Sequence, residues 1–99
     1  MEEIKIDIYV SHTCGACRAM KMEIEKSDLK KIVQYKYIDD EKSGDRNINF
    51  IKNKGFKGIP VTHMFNEDKE IFEVGYIPIK KLNAMISHFA EEKNYNITG

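Results

Sequence analysis

The sequence carries no excess charge of either sign and no long apolar run. Its 99 residues include sixteen basic and sixteen acidic side chains. This balance gives no indication of binding to a nucleic-acid backbone or to an anionic membrane surface. No apolar stretch reaches the length needed to cross a bilayer. We therefore expect neither a nucleic-acid partner nor a membrane partner.

Cysteine is also scarce, with only two residues in the chain. A chain of this length forms one domain, here residues 1–99 with a core of about 4–91, and it folds without a disulfide framework. The N-terminus lacks the basic start, apolar stretch and cleavage site of a secretory signal. We therefore expect a cytoplasmic protein, and in that compartment a single cysteine pair is catalytic or metal-binding rather than structural.

Hydrophobic patterning predicts a strand followed by a helix at the start of the chain. Apolar side chains alternate with polar ones across residues 4–11, which is the period of a strand. Ala16, Cys17, Met20 and Ile24 then recur at the spacing of one helix face. The two cysteines fall where the predicted strand gives way to the predicted helix.

The rest of the chain predicts three more strands and two more helices. Residues 33–38, 61–65 and 70–74 are strand-like, and the last two are close enough for a hairpin. Asp45 is the predicted N-cap of a second helix that ends at about Lys54, before Gly55. Pro78 is predicted to lie in the first turn of a third helix, where proline is tolerated. The order β-α-β-α-β-β-α predicts an α/β fold with a mixed four-stranded sheet and helices on both faces.

The motif Cys14-Gly15-Ala16-Cys17 indicates dithiol–disulfide chemistry. A helix start offers unpaired backbone N–H groups and the positive end of the helix dipole, which favour a thiolate at Cys14. We predict that Cys14 attacks a substrate disulfide and that Cys17, one turn further in, resolves the mixed disulfide. His12 and Arg18 flank the pair and are candidate modulators, since either adds positive charge near Cys14.

The motif and its surroundings resemble the thioredoxin superfamily. The similarity extends over about residues 4–89. It consists of a strand, a cysteine–dipeptide–cysteine motif, a helix and then Gly58-Ile59-Pro60 before a hairpin. The chain is similar in length to a glutaredoxin. The resemblance implies a thioredoxin-like fold and a cis bond before Pro60. It also implies an oxidoreductase that reduces protein disulfides. The substrate-binding residues it implies are Thr13, Gly15, Ala16, Ile59 and Pro60.

The details resemble thioredoxins more than glutaredoxins. Gly58 stands where glutaredoxins usually carry threonine, and the hairpin is followed by the single Gly75 rather than by two glycines. The chain also departs from thioredoxins, because it has no tryptophan and carries Ile8 in place of the buried aspartate beneath the cysteine pair. Asp7 is expected to face the opposite side of the sheet.

The resemblance also implies partners. It implies a monomer that acts on protein disulfides, with ribonucleotide reductase as one possible substrate protein. It implies no cofactor beyond the redox-active disulfide Cys14–Cys17. Its electron donor is a reductase of the thioredoxin-reductase type or glutathione. Two alternatives remain: a glutathione-dependent glutaredoxin, and a metal-binding module in which His12 or a second chain completes the ligands. His63 is predicted to be a packed core residue.

Overall fold

The chain alternates strands and helices in the predicted order. The computed structural model describes the backbone of residues 3–98 and the side chains of residues 3–90. The elements are β1 (Lys5–Val10), α1 (Gly15–Glu25), β2 (Val33–Tyr37), α2 (Gly44–Asn53), β3 (Val61–Phe65), β4 (Glu70–Val74) and α3 (Ile79–Thr98). A 3-10 helix at Asp28–Lys31 was not predicted. It begins where the Ser27 hydroxyl accepts a hydrogen bond from the Leu29 N–H.

The four strands form one mixed sheet in the order β2-β1-β3-β4. β1 runs parallel to β2 and antiparallel to β3, and β4 completes a hairpin with β3. Parallel neighbours need a crossover connection, and α1 supplies it between β1 and β2. The predicted mixed sheet is therefore confirmed.

Helices cover both faces of the sheet, because β1 is apolar on both sides. Ile6, Ile8 and Val10 belong to a large core with residues of α1 and α3. Tyr9 points the other way and packs in a smaller core with Ile51 of α2. Successive strand residues face opposite sides, so α1 and α3 lie on one face and α2 on the other.

The start of α2 differs from the prediction. Asp45 is not the N-cap but lies inside the first turn, and Ser43 occupies the cap position without a side-chain cap bond. The carboxylate of Asp40 instead accepts the N–H groups of Ser43 and Lys42, at 2.9 and 3.1 Å. Gly44 makes this earlier start possible, since a Cβ there would lie 2.6 Å from the backbone oxygen of Ile38.

The predicted end of α2 and start of α3 agree with the structure to within one residue. Gly55 follows α2 with a φ of 88°, a left-handed conformation that glycine adopts without steric cost. Pro78 immediately precedes α3, and its carbonyl oxygen accepts the N–H of Leu82 at 2.9 Å. Within residues 3–98, no helix combines the length and the apolar character needed to cross a membrane.

We expect Asp40→Ala to lower the stability of the protein more than Asp45→Ala. Hydrogen bonds from Ser43 hold the pKa of Asp40 below its ordinary value of 3.8. A lowered carboxyl pKa contributes stability above the unfolded-state value, and that stability is lost as the pH falls through the folded-state value. The urea midpoints of the two variants should therefore differ at about pH 7, and the difference should diminish as the pH falls below 3.8. Equal midpoints at the higher pH would contradict the assigned role of Asp40.

Candidate active site

Cys14 lies at the N-cap of α1, as predicted. Its backbone is extended, and its sulfur accepts a hydrogen bond from the N–H of Cys17 at 3.1 Å. The two residues form a disulfide with their Cα atoms 5.2 Å apart. Cys17 is 3% exposed, whereas Cys14 is only partly buried. The first cysteine is therefore the accessible one, and its sulfur already receives a backbone donor.

The peptide bond between Ile59 and Pro60 is cis, as expected. Pro60 immediately precedes β3, and the next residue, Val61, pairs with Tyr9 near the end of β1. The chain leaves this end of β1 for the loop that carries Cys14. Pro60 and the cysteine loop therefore lie at the same end of the sheet. Ile59 and Cys14 both pack against the same hydrophobic core.

Two exposed apolar residues near Pro60 were missed by the sequence interpretation. Val74 and Tyr76 are 47% and 43% exposed, among the most exposed large apolar side chains described. Gly75 between them has a φ of 104°, and its N–H donates to the Pro60 carbonyl oxygen at 2.7 Å. In the sequence, the feature that could have indicated this exposed apolar surface is a glycine between two apolar residues at the end of a hairpin strand.

The remaining predicted substrate-binding residues are on the surface. Thr13, Gly15 and Ala16 are exposed, and the hydroxyls of Ser11 and Thr13 lie 3.3 Å apart. Ile59 is half-buried and lines a cavity of about 330 Å³. Its walls are mostly apolar but include two lysines: Ile38, Ile48, Ile51, Lys52, Phe56, Lys57 and Gly58. The surface around the cysteine loop and the Pro60 loop thus combines exposed backbone with apolar side chains.

His12 and Arg18, the two candidate modulators, are brought together. One Arg18 nitrogen, Nη2, donates to the His12 carbonyl oxygen at 3.2 Å. The His12 ring stacks on Tyr37, with ring centroids 4.1 Å apart. Its Nδ1 lies 3.0 Å from the Asp39 carboxylate, which also accepts the His12 backbone N–H at 3.0 Å. Four side chains are thus locked into one cluster beside α1.

The hydrogen bonds of this cluster keep Asp39 ionised. The backbone N–H of His12 is the main cause that lowers the pKa of Asp39, although partial loss of hydration opposes it. The His12 side chain adds a second hydrogen bond and a favourable charge interaction. An ionised carboxylate accepts hydrogen bonds and cannot donate them. In the neutral ring, Nδ1 therefore carries the hydrogen and Nε2 keeps its lone pair.

A second cavity connects this cluster to the buried cysteine. It has a volume of about 280 Å³, and its walls include His12, Tyr37, Arg18, Lys21 and Cys17. The ammonium group of Lys21 donates to the Tyr37 hydroxyl at 2.9 Å. Both predicted modulators therefore line the same cavity as Cys17.

The sheet beneath the cysteine pair is apolar, as predicted. Ile8 is 1% exposed and belongs to the same core as Cys17. Asp7 pairs with His63 in the neighbouring strand and faces the α2 side. Burial raises the pKa of Asp7, although the nearby charges of Lys36 and His63 counteract the shift.

His63 is a packed residue, as predicted. It is 7% exposed, and its ring stacks between Phe65 and Phe72 with centroid distances of 4.3 Å to each. Its Nε2 lies 2.7 Å from the Glu70 carboxylate. In the part of the chain that the structure describes, no group of three or more histidine, cysteine, aspartate or glutamate side chains is arranged to hold a metal ion.

Comparisons with known proteins identify the fold. No family model matches the sequence, and no curated protein matches it. Chloroplastic thioredoxin z has 16% identity and a TM-score of 0.66, over 89% of this chain and 79% of that one. Thioredoxin f2 of Chlamydomonas reinhardtii has 20% identity and a TM-score of 0.64, over 90% and 81%. Thioredoxin-2 of a malaria parasite has 16% identity and a TM-score of 0.65, over 87% and 82%.

These solved structures share the arrangement of strands and helices with the present chain along most of its length. At such low identities the likeness establishes the fold and leaves the reaction to be argued from the site itself. The chain is therefore a small protein with the thioredoxin fold.

Proposed function

We propose that this protein is a dithiol–disulfide oxidoreductase that reduces disulfide bonds in other proteins. The observation that carries the proposal is the position of Cys14 at the N-cap of α1, where its sulfur accepts the Cys17 N–H at 3.1 Å. A backbone donor and the helix dipole both favour the thiolate over the thiol. Cys17 is close enough to form a disulfide with it and is shielded from competing partners.

The reaction transfers two electrons in two exchange steps. The Cys14 thiolate attacks one sulfur of the substrate disulfide, and the other substrate sulfur leaves as a thiolate. The Cys17 thiolate then attacks the Cys14 sulfur, the bond from Cys14 to the substrate sulfur breaks, and that substrate sulfur leaves as the second thiolate. The enzyme ends as the Cys14–Cys17 disulfide, and the substrate ends as two thiols after it takes up two protons.

A polypeptide substrate suits the surroundings of Cys14. Ile59 and Pro60 lie just before β3 and near the cysteine loop, where a strand-like peptide could bind through backbone hydrogen bonds. Val74 and Tyr76 add exposed apolar surface. The cavity lined by Ile59 offers space for an apolar side chain. These features favour a protein over a small polar disulfide, and ribonucleotide reductase is one recipient to test.

The electron donor is tested by supplying two complete reducing systems. One contains NADPH and thioredoxin reductase, and the other contains NADPH, glutathione and glutathione reductase. We expect reduction of a model protein disulfide with the first system only, because the glutathione-binding residues of glutaredoxins are mostly replaced in this sequence. NADPH oxidation measures the rate.

The outcomes of this comparison separate the alternatives. Activity with glutathione alone would assign the protein to the glutaredoxin type of reaction. Stoichiometric zinc in the reduced protein, without activity in either system, would support the metal-binding alternative. Each system without the protein serves as the background.

A further inference from the structure

The reaction proposed above requires Cys17 to lose its proton before it can attack Cys14. Only the thiolate is an effective nucleophile in this exchange. Cys17 is 3% exposed, and burial in apolar surroundings disfavours the charged form of a thiol. A group that accepts this proton should therefore lie within reach.

The sheet beneath Cys17 does not supply that group. Ile8 and Val10 are buried apolar residues in the core that contains Cys17. Thr62 pairs with Ile8 and is 1% exposed, but its hydroxyl is not a base near neutral pH. Asp7 lies on the other face, where it pairs with His63.

The cavity of about 280 Å³ provides a different path, because Cys17 and His12 both line it. This volume is sufficient for several water molecules, since one water occupies about 30 Å³ of liquid volume. Arg18 and Lys21 also line the cavity, but both are proton donors at neutral pH and have no lone pair to offer. Among the charged side chains described in the cavity walls, His12 is therefore the one suited to accept a proton.

The orientation of His12 fits this role. Its Nδ1 is bound to the Asp39 carboxylate, so its Nε2 keeps a lone pair. Stacking on Tyr37 and the bond from its backbone N–H to Asp39 hold the ring in place. A histidine whose second nitrogen is fixed by a carboxylate is a common form of general base.

We propose that His12, oriented by Asp39, is the general base that takes the proton of Cys17 across the water in this cavity. His12 gains the proton and a positive charge, and Cys17 becomes the thiolate that attacks Cys14. The Cys14–Cys17 bond forms as the bond from Cys14 to the substrate sulfur breaks, and the leaving thiolate is protonated by solvent. Asp39 acts as a positioning residue.

The charges around His12 agree with this role. A positive charge on His12 favours the ionised forms of Asp39 and the nearby Asp40. The positive charges of Arg18 and Lys21 favour the Cys17 thiolate in the same cavity. The uncharged face of Tyr37 covers one side of the ring.

The test separates the two exchange steps in a single turnover and rests on the proposed function. Reduced protein is mixed with a protein disulfide, quenched in acid at intervals and analysed for the Cys14 mixed disulfide. The variants are His12→Gln, Asp39→Asn and, as a matched control, His88→Gln on the exposed side of α3. Unfolding midpoints confirm that each variant is folded.

We expect His12→Gln to form the mixed disulfide at the wild-type rate and to resolve it roughly 10²-fold more slowly near neutral pH. The difference should shrink as the pH rises well above about 8.5, the ordinary pKa of a thiol, because the buried Cys17 then ionises without a base. Asp39→Asn should also slow resolution while the mixed disulfide forms at the wild-type rate, because the carboxylate that binds the Nδ1 and the backbone N–H of His12 is lost. His88→Gln should match the wild type in both steps.

The outcomes distinguish this inference from the proposed function. A mixed disulfide that His12→Gln resolves at the wild-type rate, with an unchanged pH profile, would overturn the inference and leave the proposed function intact. A wild-type protein that does not consume the substrate disulfide would overturn both. Chemical rescue supplies a further readout, since added imidazole should accelerate resolution in His12→Ala, and the absence of any acceleration would count against a proton-accepting role.

Discussion

Cys14→Ser is expected to abolish protein disulfide reduction, and Cys17→Ser is expected to trap a covalent enzyme–substrate complex. The difference follows from their positions, since the Cys14 sulfur is the more accessible one and receives the Cys17 N–H. Without Cys14 there is no attacking thiolate, so only the uncatalysed exchange remains. Without Cys17 the first step still proceeds, but nothing within the protein resolves its product.

Mass spectrometry of the quenched reaction measures this prediction directly. The complex formed by Cys17→Ser should have the summed mass of the two proteins and should dissociate on addition of dithiothreitol. Cys14→Ser should give no such complex. Equal activity in the two variants, or a complex formed only by Cys14→Ser, would reverse or remove the roles assigned to the cysteines.

Phe89→Ala is expected to destabilise the protein by about 3–5 kcal/mol. Phe89 is 2% exposed and packs in the core between the sheet, α1 and α3. The ammonium group of Lys69 lies 4.5 Å from the centre of its ring, so the substitution also removes a cation–π contact. Because small domains are stable by only about 5–15 kcal/mol, this loss is a large fraction of the total.

Thermal unfolding measures this loss. At about 4–8 °C per kcal/mol for a domain of this size, the midpoint should fall by more than about 10 °C. Ser87→Ala, an exposed position on the same helix, is the matched control and should unfold close to the wild type. A midpoint for Phe89→Ala within a few degrees of the wild type would mean that α3 does not pack against the sheet through this residue.

The elements of the fold were readable from local patterns in the sequence. The alternation that includes Ile6 and Ile8 identified β1, and Pro78 marked the start of α3. Local patterns failed where a contact distant in sequence decides a boundary. Asp45 was the better cap candidate by local rules, but α2 begins earlier because Gly44 allows close approach to Ile38.

The chemistry of the site was also largely a sequence property. The spacing of Cys14 and Cys17 at a strand–helix junction predicted their pairing and their relative exposure, since these depend on the first turn of one helix. The contact between Asp39 and His12 could not be predicted from local spacing. These residues are 27 positions apart and meet only because β1 and β2 run parallel and end at the same edge of the sheet.

The amino-acid sequence by itself determined the elements, the position of the cysteine pair at the start of α1 and the apolar character of the strand beneath it. Each of these follows from periodicity or from spacing within one or two turns. Only the tertiary structure decided which distant residues surround the pair: Val74 and Tyr76 near Pro60, and the His12–Asp39 pair on the cavity that reaches Cys17. Strand register and crossover geometry bring such groups together, and neither can be read from a local pattern.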